Sequence, residues 1–363
     1  DISVNGATSL SATNDIILGD ATHDFVGSVA ASGQDIVLFD ANSIELGNVT
    51  ATAGSDTASD ALALSGVTGN DGDLFVTVVD SITQTSSTVI NVADTANFNA
   101  NTLTGNAITV DQANLFAGPV NALGFDVTVT DADALQLGEV TALGFLDATA
   151  QAGSLTDTSA AISVTGATSL TAGSAGEFFD IALDTPDTHD FDADLSGDAL
   201  NATGEDITID DNTAIVLGAI STNEAAQSGD GDNDATADTL IGTNLGDLVV
   251  SAGGTISDAA LGTDASDGTG LLIEGTTSLT AQDSGATDQF DIALDDVDND
   301  FDQDVDGVAG DARDGVSALG EDVLLVDATA LALGTITTND NSAGTTDTTL
   351  NSGNNGDLTA TTT

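Results

Sequence analysis

Two acidic runs contain the residues whose type and spacing come closest to a binding chemistry. Asp230, Asp232 and Asp234 alternate with other residues, and a denser run extends from Asp295 to Asp306. Calcium takes about six to eight hard oxygen ligands, and alternate carboxylates on one loop supply several with little strain. The candidate calcium ligands are Asp230, Asp232, Asp234, Asp296, Asp298, Asp300, Asp302 and Asp304. Neither run has the last glutamate of an EF-hand loop, so an acidic solvated surface is the alternative.

Further carboxylates belong to a block that recurs four times. Each copy reads Gly-x-Asp, an apolar-rich stretch, a second Asp, and then Ile/Leu-x-Leu-Gly-x-Val/Ile. The first aspartates are Asp35, Asp126, Asp206 and Asp322, and the second are Asp40, Asp131, Asp211 and Asp327. Stacked carboxylates could hold ions, but Asp also caps turns by accepting backbone N–H groups, and this structural role is the favoured interpretation. The repeated glycines are predicted to take left-handed turn conformations.

The two histidines occupy one repeated slot. His23 and His189 both precede Asp-Phe, and the same slot holds Asn114 and Asn299 in the other copies. An acid–base pair or a metal site would not tolerate this exchange, whereas a turn position accepts either side chain. The exchange of His for Asn at this position therefore favours a structural role over a catalytic or metal-binding one.

The elements that carry these residues read as β-strands. Apolar and polar residues alternate in Asp126-Val-Thr-Val-Thr and Asp206-Ile-Thr-Ile-Asp, and no stretch shows a convincing helical period. Long repeats are assigned to 2–89, 90–161, 162–270 and 271–363, each with about four coils of ~20 residues. This pattern predicts an all-β fold, one continuous parallel β-helix (β-solenoid) of about 16 coils over 1–363, roughly 75 Å long. Uneven repeat lengths place loops at 54–70, 222–243, 303–319 and 338–355.

Composition limits the partners. The 363 residues include 60 acidic side chains and one basic side chain, Arg313, which gives a formal net charge of −59. Nucleic acid and anionic membranes need cations on the protein, so both are excluded as partners, and divalent cations or salt are the natural counterions. The absence of cysteine excludes disulfides and thiolate chemistry, and no apolar run is long enough to insert into a membrane.

The segments Ala21-Thr-His-Asp-Phe25 and Asp35-Ile-Val-Leu-Phe-Asp-Ala-Asn-Ser-Ile-Glu-Leu-Gly47, with their counterparts in the other repeats, resemble a known class. They are similar to the β-strand repeats of large bacterial surface adhesins, the filamentous-haemagglutinin-like and autotransporter-passenger class. The resemblance implies a right-handed parallel β-helix, secretion to the cell surface, and an adhesive or fibrous role.

These observations predict a non-enzymatic extracellular structural protein, the subunit of a cell-surface filament or adhesin shaft that assembles head to tail with itself. The fourth repeat is short, so either a longer protein was cut here or the start of the next chain near Ile2 completes this end. The alternative is a monomeric calcium- or glycan-binding adhesin module, whose partner is a cell-surface glycan or another surface protein. An enzyme is not expected, because a lyase for acidic sugars needs cations and no acid pair is set apart for hydrolysis.

Overall fold

The computed structural model describes residues 1–54, 72–174, 177–185, 189–194, 197–222, 246–259, 270–285, 288–301, 315–329, 331–338 and 357–362. Contacts divide the chain into two compact units. Unit 1 consists of Asp1–Gln151 and Thr156–Val164, and unit 2 consists of Ala152–Leu155 and Thr165–Thr363. The prediction of one continuous solenoid over 1–363 stays a prediction.

Unit 1 is built from short strands. They are β1 (Ser3–Val4), β2 (Thr8–Ser11), β3 (Ile16–Leu18), β4 (Asp24–Phe25), β5 (Val29–Gly33), β6 (Ile36–Asp40), β7 (Ile44–Ala51), β8 (Leu74–Val78), β9 (Ile82–Gln84), β10 (Ile90–Val92), β11 (Ala96–Asn99), β12 (Ala107–Phe116), β13 (Val120–Gly124), β14 (Asp126–Asp131), β15 (Leu135–Ala142), β16 (Leu146–Ala150), β17 (Leu155–Asp157, shared with unit 2) and β18 (Ile162–Val164).

Unit 2 continues the same kind of element. Its strands are β19 (Thr168–Ser174), β20 (Glu177–Phe178), β21 (Ile181–Leu183), β22 (Leu200–Gly204), β23 (Ile207–Asp211), β24 (Ile215–Thr222), β25 (Leu248–Ala252), β26 (Ile256–Asp258), β27 (Leu271–Leu272), β28 (Thr277–Ala281), β29 (Ile292–Leu294), β30 (Gly315–Gly320), β31 (Val323–Asp327), β32 (Ala332–Thr338) and β33 (Leu358–Thr362).

The strands of successive coils pair in parallel and form long sheets. Thr8 pairs with Val29, and Ile16 pairs with Ile36, so one coil takes about 20 residues. An exception is the antiparallel contact of β19 with β20. The described part of the chain contains no α-helix. The predicted fold class is confirmed: the protein is an all-β parallel β-helix.

Among the described residues, no helix has the length and apolar character that a membrane crossing requires.

The core lies between the sheets because most of the longer strands bury every second residue. In β8, Leu74, Val76 and Val78 are buried, while Phe75 and Thr77 are partly exposed. Small aliphatic residues suit the narrow interior, and burial of their apolar surface contributes about 25 cal/mol per Å². Repetition of this alternation from coil to coil produces the stacked core.

The Leu-Gly-x-Val/Ile end of each block forms a β-bulge. Val120 pairs with Leu137 and Ala122 pairs with Val140, so Asn121 alone faces two residues of β15. The same register shift occurs between β5 and β7, between β22 and β24, and between β30 and β32. The conserved spacing of the block therefore encodes one extra residue per repeat, which bends and twists the strand at that point.

The prediction that the repeated glycines adopt left-handed turns is wrong. All eight lie in strands, and none has a positive φ. At two of them the role is steric: a Cβ on Gly138 or Gly218 would overlap the side chain of Asn121 or Asn201 in the preceding coil. Left-handed glycines do occur among the described residues, at Gly72, Gly105, Gly173 and Gly197.

The predicted loop at 303–319 also needs correction, because Gly315–Gly320 forms β30. The alternation of Val316, Ala318 and Gly320 as buried residues explains why this segment is a strand. The other predicted loops, at 54–70, 222–243 and 338–355, lie outside the described residues except for their first positions.

Candidate functional site

The second aspartate of each block is buried and joins two coils. In the second block, Asp131 Oδ2 accepts the N–H of Phe116 at 2.8 Å, and its Oδ1 accepts the N–H of Asp133 at 2.8 Å. In the third, Asp211 accepts the N–H groups of Phe191 and Thr213 at 2.8 and 2.7 Å. The equivalent pairs for Asp40 are Phe25 and Asn42, and those for Asp327 are Phe301 and Thr329. These contacts confirm the turn-capping interpretation.

Burial changes the acidity of these carboxyl groups. Loss of hydration raises the pKa of Asp131 to about 6, although the N–H groups of Asp133 and Phe116 oppose the rise. Burial also raises the pKa of Asp211 to about 6, against the N–H groups of Phe191 and Thr213. The described part of the fold thus holds titratable carboxyl groups in its interior, where burial makes them weaker acids than free aspartate.

The histidine slot is a buried structural position. His23 Nδ1 accepts the N–H of Ile2 at 3.0 Å, and the matching Asn114 Oδ1 accepts that of Ile90 at 2.9 Å. Asn299 Oδ1 accepts the N–H of Leu271 at 3.0 Å. A histidine imidazole and an asparagine amide can both fill this position because each accepts the same backbone N–H group, which supports the structural interpretation.

The first aspartate of each block fastens the coil that follows. Asp35 Oδ1 accepts the N–H groups of Gly72 and Asp73 at 2.9 and 3.1 Å. Asp206 Oδ1 accepts that of Asp247 at 2.7 Å, and Asp322 Oδ1 accepts that of Asp357 at 2.7 Å. In the second block, Asp126 Oδ1 accepts the N–H of Phe145 at 3.2 Å. Their role is again structural.

Asp73, whose N–H group Asp35 accepts, carries a further carboxylate of this kind in the next coil. Asp73 Oδ1 accepts the N–H of Thr95 at 2.9 Å, and burial, with the charges of Asp94 and Asp35 adding to it, raises the pKa of Asp73 to about 6. Like charges on consecutive coils are tolerated because each one accepts backbone N–H groups.

The predicted calcium ligands fall partly within the described chain. Asp230, Asp232, Asp234, Asp302 and Asp304 lie outside the described residues. Asp296 Oδ1 accepts the N–H of Asp298 at 2.9 Å, and Asp300 Oδ1 accepts the hydroxyl of Thr329 at 3.0 Å. Asp300 is the counterpart of Asp190, whose Oδ1 accepts the hydroxyl of Thr213 at 3.1 Å. Asp296 and Asp300 thus serve the corners of the coil, and calcium binding at this run stays a prediction.

A carboxylate cluster that sequence analysis did not single out occurs in unit 2. Carboxylate oxygens of Asp192, Asp194 and Asp198 lie within 4.8 Å of one another. Among the described residues, this is the group of three side chains close enough together to hold one metal ion. Asp192 is buried, and its Oδ2 accepts the N–H of Gly197 at 2.9 Å. The three carboxylates supply part of the oxygen shell that calcium requires. Their uneven spacing, x-Asp-x-Asp-x-x-x-Asp, resembles no complete loop motif, so the sequence gives little signal.

Comparison with known proteins adds one result. The family model described as repeats of unknown function (DUF5649) matches residues 1–32, 52–123 and 124–198. No curated protein and no solved structure matches the chain. The second and third matched segments adjoin and have nearly equal lengths, as expected for tandem copies. The chain is a repeat protein, similar over these segments to repeats whose function is unknown.

Proposed function

We propose that the chain is a non-enzymatic structural protein of the cell exterior, a filament subunit or adhesin shaft that stacks head to tail with copies of itself. The supporting observation is a set of core positions left uncovered at two coil edges. Ile2 is 39% exposed, whereas its counterparts Ile90, Ile162 and Leu271 are 0% exposed. At the other edge, Leu333 is 45% exposed, whereas Leu46 is fully buried at the same position of the block.

The same edges offer backbone groups for pairing. Within the described sheets, β3 pairs on one side with β6, and β32 pairs on one side with β30. Open strand edges next to exposed apolar residues favour addition of further strands. Because both edges derive from the same repeat pattern, one copy fits on the next, and such a non-closing contact generates open fibres.

The chemistry of the repeated carboxylates supports a structural rather than catalytic role. The aspartates of the blocks accept backbone N–H groups from neighbouring coils, so their lone pairs hold the fold together. The extracellular location rests on the resemblance to surface adhesin repeats and on the composition. With one basic residue in 363, the chain offers almost no site to trypsin-like proteases.

Sedimentation and electron microscopy test the stacking proposal. We expect the mass-average particle size to rise with concentration and fibres to form, and we expect Leu333→Asp or Ile2→Asp to keep the chain monomeric. Leu103→Asp is the matched control, because Leu103 is 62% exposed but belongs to neither edge. A chain that stays monomeric at every concentration would contradict the proposal.

The Asp192, Asp194 and Asp198 cluster favours a second candidate function, a monomeric calcium-binding adhesin module. Titration calorimetry with calcium, in a buffer of fixed ionic strength, tests it. Specific binding should weaken in Asp194→Asn and Asp198→Asn but not in Asp111→Asn, an exposed carboxylate on β12. Equal heats from all four proteins would mean diffuse screening of charge rather than a site.

A further inference from the structure

A groove on the outer face of unit 1 has a composition unlike the rest of the repeat scaffold. It has a volume of about 570 Å³ and crosses five successive strands, β6, β8, β11, β13 and β15. Ligand sites in proteins commonly have volumes of about 300–1,000 Å³. Its lining includes Phe39, Phe75, Asn97, Asn99 and Asn121.

Strand register arranges these side chains in two columns. Phe75 pairs with Asn97, and Asn97 pairs with Asn121. In the second column, Phe39 pairs with Thr77, which pairs with Asn99. Neighbouring coils are about 4.8 Å apart, so aromatic rings and amides follow one another along a path of roughly 19 Å.

The amides are held in fixed orientations. Asn121 Oδ1 accepts the N–H of Glu139 at 2.7 Å, and Asn121 Nδ2 donates to Asn97 Oδ1 at 3.0 Å. The Nδ2 of Asn97 is buried and has no acceptor among the described residues. Asn99 Oδ1 accepts the N–H of Asn101 at 3.1 Å. The bulge at Gly138 places the exposed Glu139 at one end of the groove.

The aromatic residues depart from the repeat pattern. The positions that match Phe39 in the other blocks hold Thr130, Asp210 and Val326, by the spacing from the second aspartate. The positions that match Phe75 by register hold Asp147, Val249 and Thr359. The scaffold therefore does not need a ring at either place. A deviation from a repeated rule without a structural need points to function.

We infer that this groove binds an uncharged oligosaccharide. Aromatic rings offer apolar faces to the C–H side of a sugar ring, while fixed amides, the hydroxyls of Thr77 and Thr141, and the Glu139 carboxylate pair with its hydroxyl groups. A charged glycan is disfavoured, because the lining contains a carboxylate and no cation while the net charge is −59. The length of the groove fits a short chain of sugars rather than one ring. The inference does not depend on stacking, since all the lining residues lie within unit 1 and include neither Ile2 nor Leu333.

Titration calorimetry and saturation-transfer NMR with a panel of neutral tetrasaccharides test the inference. The probes are the β-1,4-glucose, β-1,4-N-acetylglucosamine, α-1,4-glucose and α-1,2-mannose forms, with tetragalacturonate as the acidic comparison. At least one neutral probe should bind, and Phe75→Ala or Phe39→Ala should weaken binding about tenfold or more, as expected for a central aromatic contact. Phe75→Tyr should retain it.

Val249→Ala is the matched control, because it changes the register equivalent of Phe75 in unit 2. It should bind as tightly as the parent chain, and circular dichroism should show that all variants remain folded. Failure of every neutral probe to bind, equal binding by folded Phe75→Ala and Phe39→Ala, or preference for tetragalacturonate would overturn the inference. None of these results bears on the concentration-dependent assembly, so the two proposals fail separately.

Discussion

Asp40, Asp131, Asp211 and Asp327 place a carboxyl group in the interior of a chain that has almost no cations. Two or more hydrogen-bonded N–H groups replace the water that each carboxylate loses on folding. For Asp131 and Asp211 these hydrogen bonds do not fully replace the lost hydration, because burial still raises their pKa values to about 6. Asp131 and Asp211 therefore fix corners of their coils at some cost in the charged state.

Asp131→Ala should destabilise the fold. The substitution leaves the N–H groups of Phe116 and Asp133 without their acceptor, and each buried donor left unsatisfied costs roughly 1–3 kcal/mol. Chemical denaturation measures the change in the free energy of unfolding. Asp133→Ala, two residues away and exposed, is the control and should change it by less than about 0.5 kcal/mol. Equal effects of the two changes would refute the capping role.

Thermal stability should rise as the pH falls from 7.5 to 5. The pKa values of Asp73, Asp131 and Asp211 are raised to about 6 in the folded protein, so folding takes up protons between their unfolded values near 4 and 6. The resulting stabilisation is complete below pH 4 and is lost as the pH rises through 6. Differential scanning calorimetry should show a Tm several degrees higher at pH 5 than at pH 7.5. A lower Tm at pH 5 would contradict these shifts.

At the scale of the element, the bulge explains the sequence signature better than a turn does. The glycine is required where the opposite residue of the preceding coil carries a polar side chain, as Asn121 does for Gly138. Gly47 faces Ala30, and a Cβ there would make an ordinary contact at 3.5 Å. The glycine and its neighbour in the preceding coil therefore act as a pair.

Gly138→Ala should destabilise unit 1 by about 1–3 kcal/mol, the usual range for overpacking, because the new methyl group displaces Asn121. Gly47→Ala should be neutral within about 1 kcal/mol, since it removes conformational freedom from the unfolded chain without a clash. The double change Asn121→Ala with Gly138→Ala should recover most of the loss. A double-mutant cycle of unfolding free energies checks this coupling, and strict additivity would argue against it.

The strands could be predicted because their signal is local and repeated. Alternation along segments such as Val127–Val129 and the spacing of the blocks fix both the element and its stacking. The role of Asp131 followed from its place before a turn. The conformation of Gly138 did not, because it depends on the side chain of Asn121 in another coil. The groove has the same origin, since it brings together residues of successive coils whose proximity only the coil register determines. The Asp192 cluster is local in sequence, but its spacing matches no complete loop motif.

At the scale of the whole molecule, the chain carries a large excess of negative charge that its own residues do not neutralise. The 60 acidic side chains are opposed by one arginine, which leaves a net charge of −59. The terminal amine contacts Asp20 at 3.8 Å, and this contact is exposed. Surface pairs of this kind contribute little. Counterions must therefore supply most of the screening, and divalent ions are the most effective class where carboxylates stack.

Removal of divalent ions at fixed ionic strength should lower the Tm by several degrees and reduce assembly, because stacked carboxylates then repel one another. Scanning calorimetry in EDTA against added calcium, with sodium chloride adjusted to equal ionic strength, measures the effect. Magnesium is the control for a general divalent response, since calcium tolerates irregular oxygen shells better. An identical Tm in EDTA and in calcium would rule out a divalent contribution.

The aspartates that fasten successive coils also bear on how such a chain can change over evolutionary time. Asp35, Asp206 and Asp322 bond the residue that directly precedes the next described strand, whereas the number of intervening residues differs among the repeats. The entropy cost of closing a loop grows only slowly with the length of the loop. Insertions ahead of these bonded residues thus leave the coil register unchanged. New segments can be added, lengthened or exchanged there while the paired strands stay the same.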